Sequence, residues 1–146
     1  MELGRLNHIG VATPSIAESI RYYRDVMGAT HITEPFDLPS QGVKVCFVDT
    51  PGAGGTEGTQ IELIEPLGPD SPVAKWMEKK PYGGQHHVCY EVEDIEEARS
   101  WFEGLGKTIL GPTRIGAHGT PIFFLHPKDM MGQLTEIMET PKGGGH

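Results

Sequence analysis

The sequence predicts an α+β protein made of two βαβββ modules set side by side. Three observations carry that expectation. Residues 7–14 (NHIGVATP) return as residues 86–93 (HHVCYEVE), in step when His8 is laid on His87, a period of 79 residues. That period is too long for a solenoid unit and reads as two copies of one small module. Each copy then runs through the same order of patterns: alternation, helical spacing, and three further alternating stretches. Finally, 37% hydrophobic content with 20 Gly and 12 Pro in 146 residues suits a compact, turn-rich chain. Four strands and one helix cannot cover both faces of a sheet, so the two modules are expected to share one.

In chain order, residues 6–13 alternate as a strand that stops at Pro14-Ser15. Ser15 with Glu18 three residues on is a capping-box start, and Ile16, Ile20, Tyr23 and Met27 follow at helical spacing to Gly28. Residues 29–34 are expected as a short strand and 35–42, with two prolines, as a loop. Val43–Asp49 is a strand, and residues 51–58 (PGAGGTEG) form a flexible turn. No Gly-Lys-Ser/Thr follows those glycines, which disfavours a phosphate-binding loop. Residues 60–64 are a strand halted by Pro66, and 73–79 a short helix. Pro81-Tyr82-Gly83-Gly84 marks the joint, giving modules at 1–80 and 81–146. The second module offers a strand at 86–92 and a helix at 95–105 capped by Asp94. Strands at 107–110, 122–126 and 134–139 complete it. The tail from Met138 to His146, through Pro141 and a Gly run, is expected to fray, and His146 is given no function.

The repeat is kept inside the helices, where Ile16 matches Ile95 and Tyr23 matches Phe102. Gly28 and Gly106 close the two segments within one position of each other.

A net charge of −8 disfavours nucleic acid and anionic membrane as partners, and an anionic substrate would need a local cluster of cations. No apolar run approaches the ~18 residues of a membrane span. Met1 opens almost directly onto the first strand, so no cleavable signal is expected and the protein is read as cytoplasmic. Cys46 and Cys89 lie in apolar strands without metal-type spacing and read as packed, reduced thiols.

The overlay brings four chemistry-bearing positions into correspondence. His8 and His87 stand near the starts of the first strands, and Glu62 and Glu136 on the last, at spacings of 54 and 49 residues. Two imidazoles and two carboxylates related in this way suit a six-coordinate Co, Mn, Ni, Fe or Zn ion with two positions left for substrate oxygens. Taken singly, each is more often a satisfied polar residue or a solvated strand position. Gln60 shares a strand face with Glu62 and is a backup ligand, whereas His86 points away from His87.

The blocks LNHIGVATPSI, GTQIELIEPLGPDSPVAKWM, GGQHHVCYEVEDI, IGAHGTPIFFLHPKD and LTEIMETP together resemble the vicinal oxygen chelate superfamily, or glyoxalase fold. More narrowly they are similar to the methylmalonyl-CoA epimerase family across residues 5–141 as one domain. NHIGVA alone would mark only the superfamily; the later blocks are the specific ones. The resemblance implies that His8, Glu62, His87 and Glu136 bind one divalent metal ion per site. Cobalt is favoured, with zinc, manganese, nickel or iron as alternatives. It also implies a homodimer whose sheets curl into metal-containing clefts. Some relatives have Gln at the position of Glu62. Some have a catalytic glutamate where this chain has Val45, and valine cannot move a proton.

The implied reaction is epimerisation at C2 of methylmalonyl-CoA through a metal-stabilised enolate. Glu136 is the first choice of base and Glu62 its pseudo-symmetric counterpart, with Glu34 as a free-carboxylate alternative. Arg114, Lys128, Lys75, Lys79 and Lys80 are available for the CoA phosphates. Residues 116–119 (GAHG) match a substrate loop of the family but also read as a plain hairpin turn. His126 is expected behind the ligands rather than among them. The alternatives are a glyoxalase I-type lactoylglutathione lyase and a non-catalytic small-molecule binding module of the same fold. A dioxygenase would present two His and one Glu, against which Glu62 speaks.

Overall fold

The structure is a computed structural model describing residues 1–142. The frayed tail expected from Met138 is corrected at its start, where Met138 and Glu139 pair with Glu91 and Val92 in a strand, and its end, residues 143–146, lies outside the described residues. The α+β class and the βαβββ order of each half are as the sequence predicts. By internal packing the chain divides into two units, His8–His86 in one and Met1–Asn7 with the described residues from His87 on in the other.

In the first unit β1 (Leu6–Ala12) leads into α1 (Ile16–Arg21). The Ser15 hydroxyl accepts the Glu18 N–H at 3.2 Å, the cap that the sequence signals. The helix then widens to π geometry over Tyr22–Val26, with the Met27 N–H donating to the Tyr22 carbonyl, before Gly28 ends it at φ 73°. Strands β2 (Phe36–Leu38), β3 (Val43–Asp49) and β4 (Gln60–Pro66) follow, then α2 (Pro72–Met77). The order across the sheet is β2-β3-β4-β1, with β1 parallel to β4 and the other pairs antiparallel.

Here the structure corrects the expected strand at 29–34 and loop at 35–42. Residues 31–33 run beside β3, held by the bridge Ile32–Val48 and two ladder hydrogen bonds, with the Thr33 hydroxyl instead of a backbone carbonyl accepting the Phe47 N–H at 2.9 Å. Pro35 has no N–H to extend the ladder, and regular pairing starts one residue later at Phe36. One face of the sheet packs Cys46, Val48 and Leu63 against Ile16, Ile20 and Tyr23 of the helix.

The second unit repeats this plan with β5 (Gly84–Val92), α3 (Ile95–Gly104), β6 (Ile109–Ile115), β7 (Pro121–Leu125) and β8 (Thr135–Glu139). Its order is β5-β8-β7-β6, again with only the first pair parallel. Asp94 caps α3 by accepting the Glu96 and Glu97 N–H groups at 3.0 and 3.1 Å. Ile95, Ala98 and Phe102, spaced three and four apart, bury one stripe of α3 against Val92, Phe123, Leu125 and Ile137. The strand expected at 107–110 runs on through Gly111 and Pro112, because a bulge absorbs the extra residues. No helix among the described residues is long and apolar enough to cross a membrane.

Candidate metal centre

Strand register sorts the candidate side chains by face, since directly paired residues point the same way. In the first unit His8 pairs with Gln60, Gly10 with Glu62, Asp49 with Gln60, and Phe47 with Glu62. His8, Gln60, Glu62, Phe47 and Asp49 therefore share the face opposite α1. His8 and Glu62 are buried, with His8 Nε2 3.7 Å from Glu62 Oε1. The Gln60 amide donates to Asp49 Oδ1 at 2.8 Å, so its nitrogen is engaged by its direct partner across the ladder on β3. Val45 pairs with Ile64 on this same face and is wholly buried.

In the second unit Cys89 pairs with Glu136, and Glu136 with Phe124. His87, two residues before Cys89, joins them on the face opposite α3. His87 Nε2 lies 3.2 Å from Glu136 Oε1, and both are buried. The ring stands edge-on to Phe124 at 5.5 Å and 85°, beside an apolar cluster of Cys89, Ile122, Met138 and Phe124.

The donor atoms of His8, Glu62, His87 and Glu136 all lie within 4.8 Å of one another. Donors ~2.1 Å from one ion stand about 3 Å apart when adjacent and about 4.2 Å apart when opposed, so these separations suit a single divalent ion. Two carboxylates buried beside two imidazoles also call for positive charge, which a divalent cation supplies and a neutral ligand does not. Nitrogen and oxygen donors in equal number leave the choice among first-row metals open.

The remaining sequence candidates fall elsewhere. Glu34 is exposed on the segment before β2. His86 stands edge-on to Trp76, whose ring also carries the Lys80 ammonium at 4.8 Å. His126 Nδ1 accepts the Lys128 N–H at 3.0 Å and caps a short turn, Pro127–Asp129. Residues 116–119 close the β6–β7 hairpin, with Gly119 N–H donating to the Gly116 carbonyl. Cys46 and Cys89 are both buried, and neither forms a disulfide among the described residues. Burial pushes the Cys46 thiol up, against a weaker opposing hydrogen bond to Thr33.

Two supporting arrangements escaped sequence reasoning. Glu65 Oε1 accepts the Ile16 N–H at 2.7 Å, and Glu139 Oε1 accepts the Ile95 N–H at 3.1 Å. Each lies three residues beyond a candidate ligand, so the paired Glu-x-x-Glu spacing was the available signal. Glu91 is buried and accepts Arg5 Nε at 2.7 Å and Asn7 Nδ2 at 2.8 Å. Burial alone would raise its pKa, but the hydrogen bonds from Asn7 and Arg5 outweigh it and hold the carboxyl below its ordinary value.

Against known proteins, residues 7–124 match the model of the Glyoxalase/Bleomycin resistance protein/Dioxygenase superfamily. The chain is 46% identical over 137 residues to the ethylmalonyl-CoA/methylmalonyl-CoA epimerase of Cereibacter sphaeroides, covering 92% of this chain and 97% of that protein. It is 44% identical over 138 residues to the mitochondrial methylmalonyl-CoA epimerase of Dictyostelium discoideum, covering 94% and 79%. A Streptomyces coelicolor methylmalonyl-CoA epimerase variant in complex with 2-nitronate-propionyl-CoA superposes with a TM-score of 0.85 at 29% identity, covering 95% and 99%. A lactoylglutathione lyase of Schizosaccharomyces pombe is a distant match, 25% identical and covered over 50% of its length.

Proposed function

This chain belongs to the methylmalonyl-CoA epimerase family of the Glyoxalase/Bleomycin resistance protein/Dioxygenase superfamily, and on that premise we propose that it interconverts the C2 epimers of methylmalonyl-CoA. The observation that carries the reading to the site is the buried set of two histidines and two glutamates at matching places of the repeat. We assign His8, Glu62, His87 and Glu136 as ligands of one divalent ion, with cobalt favoured. Bound there, the ion supplies Lewis acidity that lowers the energy of negative charge on the thioester oxygen.

The protein's own groups handle the proton. In a two-base inversion at C2 one group takes the proton from one face and another returns a proton to the opposite face. Glu136 fills the first role: its carboxylate is buried beside His87 and is flanked by the apolar cluster of Cys89, Ile122, Met138 and Phe124, which keeps bulk water from competing. Glu62 is its counterpart beside His8. Val45 shares the face of Glu62 and is aliphatic, which leaves Glu62 to do the work that a carboxylate at position 45 would otherwise do. Glu34, exposed before β2, has no such enclosure.

The protein is further proposed to act in the cytoplasm as a homodimer on a small acyl-CoA, with neither nucleic acid nor membrane as a partner. A net charge of −8 supports the last point. Incubating the cobalt-loaded protein with the (2R) thioester and separating the epimers tests the reading. Approach to an equal mixture is expected, and a (2R) thioester that stays unchanged would sink it.

A further inference from the structure

We propose that Arg114 binds an anionic group of the acyl thioester, an assignment that rests on the epimerase reading and names the substrate contact it lacks. Arg114 pairs with Ile122, which pairs with Met138, so its side chain stands on the face that carries Phe124 and Glu136. Thr113, one residue earlier, turns to the opposite face, where its hydroxyl accepts Arg99 Nη1 at 3.0 Å.

The local backbone is shaped around this guanidinium. Leu110 pairs with Phe124 and Arg114 with Ile122, so residues 111–113 bulge opposite Phe123 alone. Three residues opposite one preserve the alternation, which returns both Leu110 and Arg114 to the same face. Arg99 of α3 pins the bulge from behind, Nη2 donating to the Gly111 carbonyl at 3.0 Å as Nη1 holds Thr113. Gly111 adopts φ 83°, and a Cβ there would lie 2.9 Å from Arg114 Nη2. The glycine thus allows the turn and also leaves room for the guanidinium to lie back over it. That brings the charge towards the level of Leu110, Phe124 and Glu136. Two strand spacings separate β6 from β8, about 10 Å of backbone, which is within the combined reach of an arginine and a substrate held between them.

Charge pairing singles out the same residue. Arg5 is paired with Glu91, Arg24 with Asp25 and Arg99 with Glu103, and Arg21 also acts on Asp25. Arg21 and Arg114 have no hydrogen bond or ion pair among the described residues, and of the two only Arg114 stands on the strand face that carries Phe124 and Glu136. In a chain of net charge −8, a fork of N–H donors on the strand face of Ile122 and Phe124 and left without a carboxylate is disposed to bind oxyanions. The thioester offers two sources, the CoA phosphates and the free carboxylate of the acyl group.

Calorimetry on the cobalt-loaded protein tests this with three probes: methylmalonyl-CoA, propionyl-CoA, which lacks the carboxylate, and methylmalonyl-pantetheine, which lacks the nucleotide phosphates. Arg114→Gln should weaken methylmalonyl-CoA about tenfold to hundredfold, with Arg114→Lys recovering part of the loss. A penalty kept with propionyl-CoA and lost with the pantetheine thioester assigns the phosphates; the reverse assigns the carboxylate. A folded Arg114→Gln protein that binds all three as the wild type does would overturn the proposal and leave the epimerase reading standing. Wild-type binding without epimerisation would do the opposite. A wild-type protein that binds none of the three overturns both.

Discussion

Glu139 accepts the first N–H of α3, from Ile95, at 3.1 Å, while Glu136, three residues earlier on the same strand, faces His87 across 3.2 Å. One short strand therefore carries a carboxylate on each face, one at the candidate metal centre and one at a helix N-terminus. Glu65 and Glu62 repeat the division on β4, with Glu65 accepting the Ile16 N–H at 2.7 Å. Each helix is tied at its positive end to the strand that carries a candidate ligand, and so the candidate residue and its helical cover are held by a single backbone.

Glu139→Ala should accordingly cost about 1–2 kcal/mol of stability through loss of the cap. Chemical denaturation of the variant beside the wild type measures this. Metal content should stay at the wild-type level, and a variant as stable as the wild type would show that the contact contributes nothing.

Glu91 gives the chain a predictable acid sensitivity. Its carboxyl is held below the ordinary value of about 4.3, so the stability it contributes is complete above that unfolded value and is lost as pH falls through the lower folded one. Removing this buried partner of Arg5 in Glu91→Ala should cost about 3 kcal/mol near neutral pH. The difference from wild type should shrink below about pH 4 as both states take up the proton. A difference that stays constant down to pH 3 would place the effect in packing instead of charge.

Stripping the metal should destabilise the fold, because two buried carboxylates lose their counter-charge. A free ion at a hundred times its dissociation constant contributes about 2.7 kcal/mol. Thermal unfolding with and without a chelator should therefore show a lower midpoint for the stripped protein, restored by adding cobalt. His87→Ala should unfold at one temperature in both conditions if the assignment of that ligand is right.

The two glutamates should separate by face. Glu136→Gln and Glu62→Gln should each lower kcat about 10²–10⁴-fold for interconversion. Each variant should still exchange the C2 proton of one epimer with solvent, and of opposite epimers. Equal loss of exchange from both epimers in either variant would argue for a single base.

The repeat made much of this visible beforehand. Aligning His8 with His87 located both first strands and both helices, and it put the candidate ligands Glu62 and Glu136 in matching places on the last strand of each module. What stayed hidden depends on partners distant in the chain. β2 begins at Phe36 because Val45 offers a ladder there, which the local text does not reveal. β6 continues through Gly111 and Pro112 because Arg99, on another element, pins the bulge. The role of Glu91 depends on Arg5 and Asn7, more than eighty positions away, and no spacing rule connects them.

The most direct test of the central claim is solvent deuterium incorporation at C2 of methylmalonyl-CoA by cobalt-loaded and chelator-stripped protein side by side. Rapid exchange with interconversion of the epimers by the loaded protein, and its loss on stripping, is the expected result. Loaded protein that incorporates no deuterium at C2 would contradict the epimerase assignment.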